Sequence, residues 1–417
     1  MLYTRRSLAV AASLVLCSAV VTQSRSDSPL APRPSPLKEE VRGVWVVRTD
    51  MTSPQAVSRA VRVAERNGLN TLFVQCRGRG DAYYASELEP RAQALAKAPL
   101  EFDPLAQAVA EGHAAGLKVH AWVNACYVWS DKNPPVSADH MIHAHKDWLA
   151  VDRNGRRCVA GDPEVFICPS NPEARAHLVA VCRDVASRYE VDGIQLDYIR
   201  YAKPNLCYCA GCLKRFEAHV TPKVPAAKLA AAKRKGRLGV VQSFGYSWGQ
   251  FRREQITSLV GEIRASVKRA RPEICLSAAV IPWGACPADF RESEAYKSVA
   301  QDWYGWIKSG LVDAVCPMTY QVGLPGFRSW VDGVNRCHPD FPVWYGIGAY
   351  LFSPDSAAAK VKAVRGSGGR GWVLFSYTAV TRGGTDDAYL RKLKARVLPE
   401  QRISRTDAAS SLSQAAK

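Results

Sequence analysis

Val191-Asp192-Gly193-Ile194-Gln195-Leu196-Asp197-Tyr198-Ile199-Arg200-Tyr201 is a short apolar run that ends in a carboxylate and a series of large polar side chains. Gly193, Ile194 and Leu196 suit a strand covered on both faces. Asp197 falls where such a strand runs out, and in a parallel α/β protein catalytic groups collect at that end. Asp192 begins the strand, at the stability end, and reads as a turn or cap residue.

Similar runs lie on either side. Strands are expected at residues 42–48, 71–76 and 118–124 before this stretch, and at 275–282, 314–320, 342–350 and 371–377 after it. Helical patterns alternate with them. One runs from Pro54 to Asn67 with Val57, Val61 and Ala64 at helical spacing, and others open at Asp103-Pro104 and Asn171-Pro172. The later strands begin about 29 residues apart, near the minimum for a βα unit. Eight strands alternating with helices predict an α/β fold, a (β/α)8 TIM barrel, with long insertions before and after strand four.

The chain has 417 residues, 47% hydrophobic and 23% charged, ordinary proportions for a protein with a large core. Its formal charge of +18 favours anionic partners, but much of the excess is scattered or lies in 228–237 and in helical segments, as on a solvated basic surface. No phosphate-binding loop and no nucleic-acid motif is present, so nucleic acid is not an expected partner. Arg5 and Arg6 precede an apolar run from Leu8 to Val21, too short for a convincing membrane span. Thr4-Arg5-Arg6-Ser7-Leu8 resembles a twin-arginine export signal. The expected organisation is a signal peptide over 1–24, a disordered linker over 25–40, a barrel over 41–398 and a disordered tail over 399–417. The mature protein is then exported to the periplasm or beyond, with no membrane span after cleavage.

A barrel places functional side chains at the C-terminal ends of its strands. By position these are Arg48 and Asp50; Gln75, Arg77 and Asp81; Trp122, Asn124 and Tyr127; Asp197, Arg200 and Tyr201; Trp283; Tyr320 and Gln321; Tyr345; and Tyr377. Carboxylates, amides, arginines and many aromatics together suit a sugar: rings stack on pyranose faces and polar groups bond to hydroxyls. From this set Arg77, Asp81, Trp122, Asn124, Arg200, Tyr201, Trp283, Tyr320 and Tyr345 are the expected substrate contacts. Glycosidic hydrolysis uses two carboxyl groups, one as acid and one as nucleophile or base. Asp197 is the central one, expected as the nucleophile or electrostatic stabiliser, with Arg200 or a neighbour to hold it ionised. Asp302, in Gln301-Asp302-Trp303, is the first choice for its partner and reads equally well as a helix N-cap; Asp81 follows, then Glu292 and Glu294.

Twelve of the 13 cysteines lie beyond the signal, an even number that permits disulfides in an exported chain. Cys76, Cys182, Cys275 and Cys316 sit in apolar patterns and read as buried thiols. Cys207, Cys209 and Cys212 are three in six residues and suit a structural zinc or a disulfide knot, with Cys158 or Cys168 as a further ligand or partner. No cofactor is expected to be required for catalysis.

The ordered set Arg42-Gly43-Val44-Trp45, Gln75…Arg77…Gly80-Asp81-Ala82…Tyr84…Ser86, His120-Ala121-Trp122-Val123-Asn124, the opening stretch from Asp192, Gln301-Asp302-Trp303 and Cys316-Pro317-Met318-Thr319-Tyr320 resembles the glycosyl-hydrolase-like 10 domain of bacterial envelope proteins. The resemblance covers roughly residues 39–350. It implies a TIM barrel and hydrolysis of glycan strands; some relatives act on peptidoglycan glycan stripped of its stem peptides. Pro-Met-Thr-Tyr stands where Pro-Met-Val-Tyr-like endings are common. The leading expectation is an exported glycoside hydrolase, and the competing one a non-catalytic glycan-binding barrel.

Overall fold

The computed structural model describes residues 39–204, 206–320 and 323–398. The expected signal peptide, the linker up to residue 38, Gln321 and the tail lie outside the described residues.

Among the described residues ten strands form: β1 Val41–Val46, β2 Thr71–Arg77, β3 Lys118–Asn124, β4 Tyr127–Trp129, β5 Val165–Phe166, β6 Gly193–Asp197, β7 Cys275–Val280, β8 Ala314–Pro317, β9 Trp344–Gly348 and β10 Gly371–Phe375. Eight of them make one parallel sheet in the order β8-β7-β6-β3-β2-β1-β10-β9. The two ends meet where Val315 pairs in parallel with Val343 and its N–H donates to Pro342 O at 3.2 Å, so the sheet closes into a barrel. The eight expected strands are these eight, and β4 and β5 form a small antiparallel pair within the insertion before β6. The insertion after β6 is helical and ends in the long helix Gly245–Ala270.

Four of the helices start at a side-chain cap followed by proline. Ser53, Asp103, Asn171 and Ser353 each precede a proline in the first turn, and each side chain accepts a backbone N–H of that turn. Such a cap is worth about 1 kcal/mol, and the proline has no N–H to leave unpaired. Among the described residues no helix is long and apolar enough to cross a membrane.

Strand alternation divides the core in two. Val44, Leu72, Val119, Ile194, Leu276, Val315, Ile347 and Leu374 face the helices and join the larger cluster. Trp45, Phe73, Trp122, Trp344 and Val373 fill the barrel with Ala314 and Cys316. The bulky rings come from one side of the barrel, and small residues lie opposite them, Gly193 on β6, Ser277 on β7 and Ala314 and Cys316 on β8. Gly193 shows the fit: a Cβ there would meet His120 Nδ1 at 2.3 Å. Packing in cores is dense enough that one added methyl must displace its neighbours.

Candidate active site

Asp197 is the last residue of β6 and pairs in register with Asn124, the last residue of β3. Tyr198, immediately after it, has φ +48°, a left-handed backbone that is costly for a bulky residue. That turn brings the Tyr198 N–H back to Asp197 Oδ1 at 2.7 Å. The turn is held from below, because Asp197 O accepts from Ala125 N at 2.7 Å and Tyr198 O from Cys126 N at 3.2 Å. On the other side Trp122 Nε1 donates to Asp197 Oδ2 at 3.2 Å. Asp197 is only 6% exposed. Burial pushes its pKa up from 3.8 to about 6, against the opposing pull of the Tyr198 N–H, the Arg200 charge and the Trp122 indole.

Asp197 stands in a cavity of about 920 Å³ at the C-terminal mouth of the barrel, lined also by Arg48, Gln75, Trp122, Asn124, Arg200, Trp283 and Tyr320. It is the one carboxylate lining this cavity among the described residues. Arg48 is held by Gln75 Oε1, which accepts from its backbone N at 3.1 Å and its Nη1 at 3.2 Å. The Arg200 guanidinium lies 4.8 Å above the Tyr198 ring and 5.7 Å from that of Trp283. Tyr320 stacks on Phe375 with centroids 4.9 Å apart, and both rings pack against Trp45. Burial raises the Tyr320 hydroxyl well above its ordinary 10, so it stays a neutral donor. Trp283 keeps 47% of its surface exposed at the rim. Asn124 Nδ2 donates to Gly78 O at 2.9 Å, and its buried Oδ1 has no hydrogen-bond partner among the described residues.

Of the residues expected to catalyse or to contact substrate, Asp197, Trp122, Asn124, Arg200, Trp283 and Tyr320 line this cavity, and Arg77, Asp81, Tyr201, Tyr345 and Asp302 do not. Each of the five has a physical reason. A bulge between Gln75 and Arg77 shifts the register of β2, so Gln75 pairs with inward Trp122 while Arg77 pairs with outward Val123. Arg77 is fully buried and bound to Glu89 at 2.6 Å. Burial opposes the charge on Glu89, yet Arg77 and a hydrogen bond from His177 hold its pKa down at about 2. Asp81 accepts from Arg79 N at 2.8 Å and lines a separate depression with Trp129 and His140. Tyr201 is buried beneath Arg252, whose guanidinium lies 4.3 Å from the ring centroid. Tyr345 occupies an outward position of β9, and its hydroxyl bonds to Asn335 Oδ1 at 2.9 Å.

Asp302 caps the helix Trp303–Lys308, its Oδ1 accepting from Gly305 N at 3.0 Å. The second carboxylate of the expected pair is therefore not found in the cavity among the described residues. Glu292 and Glu294 also point elsewhere, pairing with Lys297 and Ser298. Sequence reasoning passed over Tyr198 and Phe375. Phe375 was reachable, because it continues the inward alternation of Gly371 and Val373.

A family model for glycosyl hydrolase-like 10 matches residues 40–338. The glycosyl hydrolase DigH of Escherichia coli O6:H1 is 24% identical over 76% of this chain and 75% of its own length. The glycosyl hydrolase YngK of Bacillus subtilis is 25% identical over 67% of this chain and 54% of its own. Among solved structures, the PgaB (BpsB) glycoside hydrolase domain from Bordetella bronchiseptica superposes with a TM-score of 0.61 at 14% identity, over 85% of this chain and 99% of that one. The catalytic domain of the β-amylase from Paenibacillus polymyxa gives 0.62 at 11% identity, over 86% and 98%. At these identities the structures establish the barrel fold.

Proposed function

Because the chain belongs to the glycosyl hydrolase-like 10 family, we propose that it is an exported enzyme that cleaves O-glycosidic bonds in the glycan strands of peptidoglycan, with Asp197 as the acid. The observation that carries this reading is the buried Asp197 carboxyl, with its pKa pushed up to about 6 at the floor of an aromatic cavity. A general acid has to hold its proton near the working pH, and desolvation is the usual means. Arg48 and Arg200 set two guanidiniums against that single acid in the cavity lining, a balance suited to the lactyl carboxylates of muramic acid. Trp283 offers a stacking face for a pyranose ring. Export rests on Arg5, Arg6 and the apolar run from Leu8 to Val21.

With one carboxyl in the lining, the second role falls to the substrate. The 2-acetamido oxygen of the sugar attacks C1 as the C1–O bond breaks, and Asp197 gives its proton to the leaving oxygen. Water then adds to C1, opens the resulting oxazolinium ring and returns a proton to Asp197. Substrate-assisted hydrolysis of this kind is an established exception to the two-carboxylate rule.

The same lone carboxyl favours a second reading, a barrel that binds glycan without turnover. Reducing-end release from peptidoglycan glycan stripped of stem peptides separates the two. Release by the wild type and none by Asp197→Asn, with glycan binding retained, supports the enzyme. Wild-type binding without release over long incubation supports the binding protein. Equal release from glycans with and without the acetamido group removes the substrate-assisted step.

A further inference from the structure

We propose that Cys168, Cys207, Cys209 and Cys212 bind one structural zinc ion. The sulfurs of Cys168, Cys207 and Cys209 lie within 4.8 Å of one another, and those of Cys168 and Cys209 are 3.7 Å apart. A tetrahedral ion with Zn–S bonds of about 2.3 Å sets neighbouring sulfurs roughly 3.8 Å apart. Cys212, outside that group of three, would supply the fourth ligand. It sits in the first turn of the helix Ala210–Val220, buried, and its N–H donates to Cys209 Sγ at 3.3 Å. Each of these four thiols has the other three among its interacting neighbours.

The surroundings suit thiolates. Val151 N donates to Cys207 Sγ at 3.2 Å, and Cys212 N to Cys209 Sγ as above, bonds of the kind that steady metal-bound sulfur. Ser170 Oγ lies 3.3 Å from Cys168 Sγ and accepts in turn from Arg215 Nη2 at 3.2 Å. Four thiolates around Zn²⁺ leave a net charge of −2, and Arg215 brings a compensating cation through this relay.

The ion would be a brace and not a catalyst, because none of the four cysteines lines the cavity that holds Asp197. It would join the loop leaving β6, which carries Arg200, to the segment after β5. The same loop also touches the segment before β5: Tyr208 N donates to Val151 O at 2.7 Å, and Asp152 pairs with Leu206. A knot of coordinate bonds there would hold the rim of the cavity in register with the end of β6. Buried thiols elsewhere in the chain, such as Cys76 and Cys316, have no such constellation among the described residues.

Elemental analysis of the full-length protein, purified without chelators, tests the site directly. One zinc per chain is expected. Thiol titration of the denatured, demetallated protein should return all four of these cysteines as free thiols. Replacement with Co²⁺ alone should produce the intense visible bands of tetrahedral thiolate cobalt. Cys212→Ser should weaken zinc retention at least tenfold, whereas Cys182→Ser should leave it unchanged. Should Cys212→Ser fail to fold, the wild-type cobalt spectrum still decides. Metal-free protein with these cysteines paired in disulfides overturns the proposal, as does an iron–sulfur chromophore or a metal content far below one per chain.

Discussion

The indole Nε1 of Trp122 donates to Oδ2 of Asp197 at 3.2 Å, from the strand adjoining the one that carries the acid. This bond favours the ionised carboxylate, so it opposes the burial that raises the Asp197 pKa. Trp122→Phe keeps a ring in place and removes the donor. The Asp197 pKa should then rise further, by about one unit, the worth of one hydrogen bond to a charged group. In a pH–rate profile of kcat/KM, the alkaline fall near pH 6 should move up by that amount. An unmoved limb would show that the indole does not act on the ionised acid.

Asp197→Asn should abolish turnover and stabilise the fold at neutral pH. The folded pKa of about 6 exceeds the ordinary 3.8, so the folded state binds the proton more tightly than the unfolded chain does. Wild-type stability is then greatest below pH 3.8 with respect to this group and declines as pH rises toward 6. The decline is about 3 kcal/mol from a shift of roughly two units. Asparagine does not titrate. The variant should exceed the wild type in urea midpoint at pH 7.5, and the gap should narrow at pH 4.

Glu89→Gln should cost about 3–5 kcal/mol, because it leaves the Arg77 guanidinium buried without its counter-charge. Neither residue lines the cavity, so activity per folded molecule should persist. The pH sign is opposite to that of Asp197. Glu89, held down at about 2, contributes its stability above pH 4.5 and loses it as pH falls toward 2. Denaturant melts at pH 7 and pH 3 check both statements.

Asp302→Asn should preserve both stability and turnover, since asparagine caps a helix about as well as aspartate. Asp302→Ala should lose about 1 kcal/mol, with kcat and KM unchanged. A collapse of kcat in the asparagine variant, with the fold intact, would return Asp302 to the chemistry.

Trp283→Ala should raise KM about tenfold with little effect on kcat, the loss of one stacked ring worth roughly 1.4 kcal/mol. Tyr345→Phe should leave KM alone and only slightly lower the melting temperature, because its hydroxyl bonds to Asn335 behind the barrel wall. Steady-state kinetics on the two variants separate the cavity rim from the outer layer.

The residues read correctly from sequence are those whose environment is set by local pattern. Asp197 ends a short apolar strand, and the eight strands announce themselves by apolar runs between capped helices. Trp122 and Asn124 follow because both are inward on one strand, two residues apart. The misplaced residues depend on events that no periodicity records. Arg77 turns outward at a bulge, which changes the face of every residue beyond it. Tyr345 lies one position away from inward Trp344, and a single step along a strand reverses the side.

The amino-acid sequence alone determined the barrel, its long insertions around the fourth parallel strand and the position of Asp197 at the chemical end of that strand. These follow from alternation, caps and segment lengths, which are properties of neighbouring residues. Tertiary structure alone decided that Asp197 stands without a second acid in the cavity lining among the described residues, that Asp302 caps a helix, and that Cys168 lies beside Cys207 and Cys209. Those facts depend on which distant segments share a volume and on how far each carboxylate is removed from water. The raised pKa of Asp197 is the clearest case: its cause is desolvation by residues from several strands, and no stretch of sequence contains it.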